Sequence, residues 1–189
     1  MNRAPLLALA AGTAMLIAPR SAAADDTIKR PLDHRIYPIE IEPHGTVAVS
    51  SLYNAAGVGA GVRLSVPVLN EGFLPKVNDS VAISFGGDFV HYDGCIGHRC
   101  GANYLIAPVV MQWNFFVSNS WSLMAEPGVA GYYGFFDDTC AGVAGPCVGH
   151  TRAGILPAAF VGARYHASEH VALTARIGFP TFSLGASFL

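Results

Sequence analysis

The strongest constraint on this chain is a period of two: stretch after stretch alternates between residues that carry no charge and residues that are polar or small. Along 57–69 the uncharged face reads Val58, Ala60, Val62, Leu64, Val66 and Val68; along 103–117 it reads Leu105, Ala107, Val109, Met111, Trp113, Phe115 and Val117. Such alternation gives a strand two unlike faces, whereas a helical face repeats every 3.6 residues. Segments with this pattern lie at about 45–53, 57–69, 80–91, 103–117, 121–136, 151–166, 170–179 and 182–189. None approaches the ~20 apolar residues of a membrane-spanning helix, yet each is near the ~9 to 11 residues with which a tilted strand crosses a bilayer.

The opposite face holds Arg63, Ser65, Ser84, Asp88, Gln112, Asn114, Glu126, Arg152, Arg164, Thr174, Arg176 and Ser183, with glycines between them. A soluble barrel turns its apolar face inward and covers its outside with lysine and glutamate. Here 52% of residues are hydrophobic, 13% are charged, and the only lysines, Lys29 and Lys76, fall outside the strands. An inside-out arrangement, apolar toward lipid and polar toward a narrow interior, accounts for the missing surface charge. The reading is therefore all-β: a transmembrane antiparallel up-and-down β-barrel of eight strands over 45–189.

Connections and aromatic residues agree. On one side the links are 70–79, Ser118–Ser120 and Ala167–Glu169; the other side receives glycine-rich loops at 92–102 and 137–150, with short turns at 54–56 and Pro180–Thr181. Outer-membrane barrels pair short periplasmic turns with longer outer loops in this way. Trp113, Phe115, Trp121 and Tyr165 gather near the short turns and Tyr133 at the other end, as interfacial aromatic girdles do. Ahead of the strands, Arg3, the apolar run Leu6–Ala18 and Ala22-Ala23-Ala24 have the layout of a secretory signal peptide. Residues 1–24 are thus expected to be removed on export, with 25–44 left as a polar periplasmic leader. Export also places all four cysteines in an oxidising compartment.

Together these features resemble the small eight-stranded outer-membrane barrels, the class that contains the OmpA transmembrane domain, OmpX and OmpW. The resemblance covers 45–189 and includes the ending Thr181–Leu189, whose alternating apolar residues look like the assembly signal of such barrels, with Phe188 penultimate rather than last. It implies a Gram-negative outer membrane, contact with its lipid bilayer, recognition by the barrel assembly machinery during biogenesis, and a monomer. A formal charge of −2 with no basic cluster argues against a nucleic-acid partner. No cofactor is expected and no metal site is assigned.

Eight strands enclose a space just wide enough for side chains, and an unpaired charge there is costly. Arg63, Asp88, Gln112, Glu126, Arg164 and Arg176 are therefore expected to form a paired network that plugs the lumen, and a three-residue turn at Ser118–Ser120 sets Gln112 opposite Glu126 and Asn114 opposite Met124. A gate or a narrow ion path is the competing use of the same charges. Cys95 with Cys100 and Cys140 with Cys147 are expected as disulfides within two outer loops; pairing between the loops, or a metal site that adds His91 and His98, stays open. No catalytic residue is expected. His166-Ala167-Ser168 resembles the His-Ser pair of lipid A deacylases, but its turn falls on the periplasmic side, away from the outer leaflet. The function that follows is non-enzymatic, serving surface interaction or envelope integrity, with a narrow channel for small solutes or ions and an outer-membrane lipid-modifying enzyme as alternatives.

Overall fold

The computed structural model describes residues 26–50, 55–96, 99–138 and 150–189. The segment read as a signal peptide, and the loop with Cys140 and Cys147, lie outside the described residues. Eight strands follow in chain order: β1 (Glu40–Ser50), β2 (Ala55–Leu69), β3 (Asp79–Ile96), β4 (Arg99–Phe116), β5 (Trp121–Asp138), β6 (His150–His166), β7 (Val171–Phe179) and β8 (Phe182–Phe188). Each pairs antiparallel with the next, and β8 returns to pair with β1, so the sheet closes and leaves no unpaired edge.

The alternation read from the sequence sets the two faces. Val58, Val62, Val109, Val129, Val161, Leu173, Ile177 and Leu184 are exposed on the outside, while Arg63, Asp88, Gln112, Glu126, Arg164 and Arg176 are buried inside. Short hairpins fix the register, which in turn decides which face each residue takes. In the β4–β5 turn, Val117 N and Ser118 N both donate to Trp121 O, at 3.0 and 3.1 Å. Asn114 accordingly pairs with Met124, and the pairs Val110–Gly128 and Trp113–Ala125 put Gln112 across from Glu126. The β6–β7 turn is built the same way, with Ala167 N and Ser168 N both 3.0 Å from Val171 O.

The structure departs from the sequence reading in several places. β1 starts at Glu40 rather than 45, because Glu40, Glu42, His44 and Thr46 form an inward row with partners waiting across the lumen. The β3–β4 hairpin carries its ladder up to Cys95–Cys100 and Ile96–Arg99, through a stretch read as loop. Arg152 is exposed at the rim of β6 instead of buried in the lumen, and Val81, read as outward, is buried next to a register shift between Pro67 and Leu69. The interior is also not polar throughout. Its half toward the long loops, the loop end, is a hydrophobic core of Val90, Tyr92, Ile106, Val110, Ala130 and Phe160, with Tyr104, Tyr132 and Leu156 packed against it.

Candidate functional site: the barrel interior and its mouth

At the turn end, inward positions of β1, β2, β5, β7 and β8 converge on one cluster. Arg63 Nη1 donates to Glu126 Oε2 at 2.9 Å, and Arg176 Nε donates to both oxygens of the same carboxylate, at 3.0 and 3.1 Å. Arg176 Nη1 also donates to Glu42 Oε1, and Ser187 Oγ donates to Glu42 Oε2 at 2.9 Å. Glu126 is 0% exposed, Arg176 1% and Arg63 2%. Charges buried this deeply persist only when paired and hydrogen-bonded.

Smaller groups surround the cluster. Arg164 Nη2 donates to Glu40 Oε1 at 2.5 Å and its Nε to Thr174 Oγ1 at 3.4 Å. His44 Nε2 lies 2.5 Å from Asp88 Oδ1, with Nδ1 3.7 Å from Glu42 Oε1, so the imidazole sits between two carboxylates. Gly61 makes room for this pair: a methyl at that position would stand 2.0 Å from Asp88 Oδ1 and 2.8 Å from His44 Nε2. Nearer the mouth the network is uncharged, as Ser65 Oγ donates to Gln112 Oε1 at 2.8 Å and Gln112 Nε2 to Asn114 Oδ1 at 3.0 Å. At the boundary with the apolar half, the Arg63 guanidinium lies over the Phe160 ring, its Cζ 5.1 Å from the centroid.

Of the lumen residues read from the sequence, Arg63, Glu126 and Arg176 meet directly. Asp88 and Arg164 pair instead with His44 and Glu40, and Gln112 joins the neutral ladder although Glu126 lies across from it. Glu40, Glu42 and His44 were not anticipated, because the outward positions after Ile41, namely Pro43 and Gly45, offer no apolar strand-forming side chain to mark the alternation. Their presence reverses the charge count. Among the described residues three buried arginines face four inward carboxylates, Glu40, Glu42, Asp88 and Glu126, rather than exceeding them.

The aromatic residues read as girdles lie at both ends: Trp113 packs against Phe115 at 4.7 Å between centroids, Trp121 against Tyr165 at 5.1 Å, and Tyr133 against Phe135 at 4.7 Å. Cys95 faces Cys100 in the β3–β4 ladder. His166 Nε2 lies 3.2 Å from the hydroxyl of buried Ser122, whereas Ser168 Oγ caps its own turn, so the His-Ser pair suggested by the sequence does not form.

A strap closes the turn end. From a 3-10 turn at Asp26–Lys29 the chain crosses the mouth to β1, held at Asn78, which donates its backbone N–H to Ile28 O at 2.8 Å and has its side-chain oxygen 2.5 Å from His34 Nδ1. The His34 ring stacks on Phe116 at 4.1 Å, and Arg35 reaches Glu169 of the β6–β7 turn at 3.0 Å. Partial burial pushes the Tyr37 phenol up from its ordinary pKa, against the pull of Arg35 and Arg164. Between the strap and the two hairpin turns lies a cavity of about 590 Å³.

No protein-family model matches the chain, and no curated protein matches its sequence. Solved structures do resemble it. The crystal structure of Ail, the attachment invasion locus protein of Yersinia pestis, matches at TM-score 0.51 and 14% identity, over 79% of this chain and 95% of that one. The same protein in complex with the heparin analogue sucrose octasulfate matches at the same TM-score of 0.51 and 14% identity, with 79% and 95% covered. Neisserial surface protein A matches at TM-score 0.51 and 12% identity, with 79% and 92% covered. Identities this low carry the fold alone. The closed antiparallel ladder, its uncharged outer face and these likenesses give the chain the fold of the small eight-stranded outer-membrane β-barrels.

Proposed function

We propose that the protein is an integral barrel of a Gram-negative outer membrane, exported by a cleaved signal peptide, that acts without catalysis as a plugged scaffold presenting outer loops for surface interaction or envelope integrity. The observation that carries this reading is the inside-out distribution of residues. Val109 and Val129 are each 50% exposed and Ile155 is 80% exposed, while Arg63, Glu126 and Arg176 lie sealed inside. In water such an exterior is an aggregation hazard; in lipid it is the ordinary one. The aromatic pairs at the two ends suit the two interfaces of the same bilayer.

Disulfides in the outer loops belong to this proposal. Cys95 and Cys100 face each other in register, and a bridge there would lock the tip of the β3–β4 hairpin in an oxidising compartment. Non-reducing mass spectrometry is expected to find Cys95 joined to Cys100 and Cys140 to Cys147; four reactive thiols would remove this part of the reading. The names of the two structural neighbours, an attachment protein and a surface protein, fit a surface role for this chain. Cell fractionation with gel mobility before and after boiling tests the whole. Co-sedimentation with outer membranes and faster migration of the unboiled form are expected, and a soluble protein with unchanged mobility would refute the proposal.

A further inference from the structure

The cavity at the mouth is framed by two turns of the same construction and by the strap. Ser118 Oγ accepts the backbone N–H groups of Ser120 and Trp121 at 3.3 and 3.1 Å; Ser168 Oγ accepts those of His170 and Val171 at the same 3.3 and 3.1 Å. A hydroxyl that accepts twice keeps its own hydrogen to donate. Both serines line the cavity, as do Arg35 and Glu169. These two form an ion pair across its opening, at 3.0 Å with side chains 53% and 73% exposed. A pair this exposed is held weakly and opens at little cost.

We propose that this cavity binds a zwitterionic amino-acid or peptide group, its carboxylate taken by Arg35 and the serine hydroxyls and its ammonium by Glu169. Such a ligand parts the ion pair while giving each member a new counter-charge, and guanidinium accepts carboxylate in bidentate geometry. A ligand with a single charge leaves either Arg35 or Glu169 without a partner. The stacked rings of His34 and Phe116 supply an apolar wall, and the volume of about 590 Å³ is of the size that holds small molecules. That the mouth opens on the periplasm rests on the membrane reading above. The binding chemistry does not, so a titration of purified protein and a fractionation fail independently.

The experiment is calorimetric titration of the folded, detergent-solubilised protein with trialanine, and with trialanine acetylated at its amino end and amidated at its carboxyl end. Saturable binding of trialanine is expected, with the doubly blocked peptide weaker by about tenfold or more. Arg35→Ala and Glu169→Ala are each expected to weaken trialanine by a similar factor while the heat-dependent gel shift stays intact. Equal binding of the blocked peptide, no saturable binding of trialanine, or variants indistinguishable from the parent would overturn the proposal. A second arm locates the source of the group. Co-sedimentation with insoluble peptide-bearing cell-wall glycan, competed by trialanine, assigns it to the wall polymer; binding of trialanine without co-sedimentation upholds the site and assigns it to free peptides.

Discussion

Toward the turn end, inward positions of the barrel hold Arg63, Glu126, Arg176, Glu42, His44 and Asp88; toward the loop end, equivalent positions hold Val90, Ile106, Val110, Ala130 and Phe160. Both sets fill a space that admits side chains and little else. They differ in what each residue demands of its neighbours. An apolar side chain accepts any neighbour of suitable shape, whereas a buried guanidinium needs a carboxylate at hydrogen-bond distance. Slipping one strand by a residue would turn its entire inward row out to the other face. In the loop half this exchanges one apolar set for another, but in the turn half it carries charges to the outside and strands their partners. The charged half is therefore the part of the interior that specifies register, and the apolar half fills space.

The demand of the charged half on its neighbours is greatest at Glu126, which holds two arginines at once. Glu126→Ala leaves both without their shared counter-charge and should cost about 3–5 kcal/mol in urea unfolding of the folded barrel. A loss below that of a conservative apolar trim would show that the cluster does not act as a paired unit. Next is the outer face, which has no partner to offer a charge: Val109→Arg should cost ~2–4 kcal/mol and reduce membrane-inserted protein. Wild-type yield from that variant would contradict the inside-out reading.

A methyl at Gly61 tests the charged half by crowding rather than deletion. It would wedge into the His44–Asp88 contact, and Gly61→Ala should cost about 1–3 kcal/mol by the same unfolding assay. The smallest effect belongs to the apolar half. Ile106→Val removes one methylene from a core that can partly relax, an expected ~0.5–1.5 kcal/mol. An Ile106→Val loss equal to that of Glu126→Ala would erase the distinction between the halves.

Legibility in the sequence follows the same division. Where one face is charged and the other is not, as in β2 with Arg63 and Ser65 against Val62 and Leu64, alternation read directly as inside and outside. The Ser118–Ser120 turn let the β4–β5 register be counted residue by residue, and the structure holds that register. In the loop half the signal is weaker because both faces are apolar: Leu105, Ile106, Ala107, Pro108, Val109 and Val110 run together in β4, and their facing follows only by carrying the period of two from Gln112 and Asn114, which puts Leu105, Ala107 and Val109 outward, as the structure has them. At the start of β1 the difficulty is different. Glu40, Glu42 and His44 look like a polar leader until their partners on β3, β6 and β7 are known, and those partners are far away in sequence. The strap was illegible for the same reason, since its anchors at Asn78, Phe116 and Glu169 are tertiary contacts of isolated polar and aromatic residues.

Whether the interior is closed is read out by planar-bilayer recording of the unmutated protein. With the turn half paired through Arg63, Glu126, Arg176 and Glu42, the loop half packed by Phe160 and its neighbours, and the mouth crossed by the strap, no steady, resolved conductance is expected. Glu126→Ala, which deletes volume and takes a shared counter-charge from Arg63 and Arg176, is the variant in which brief openings should first appear. Steady single-channel steps from the parent protein, unchanged in size by Glu126→Ala, would mean that the charges line an existing passage, and the plugged scaffold would give way to a channel.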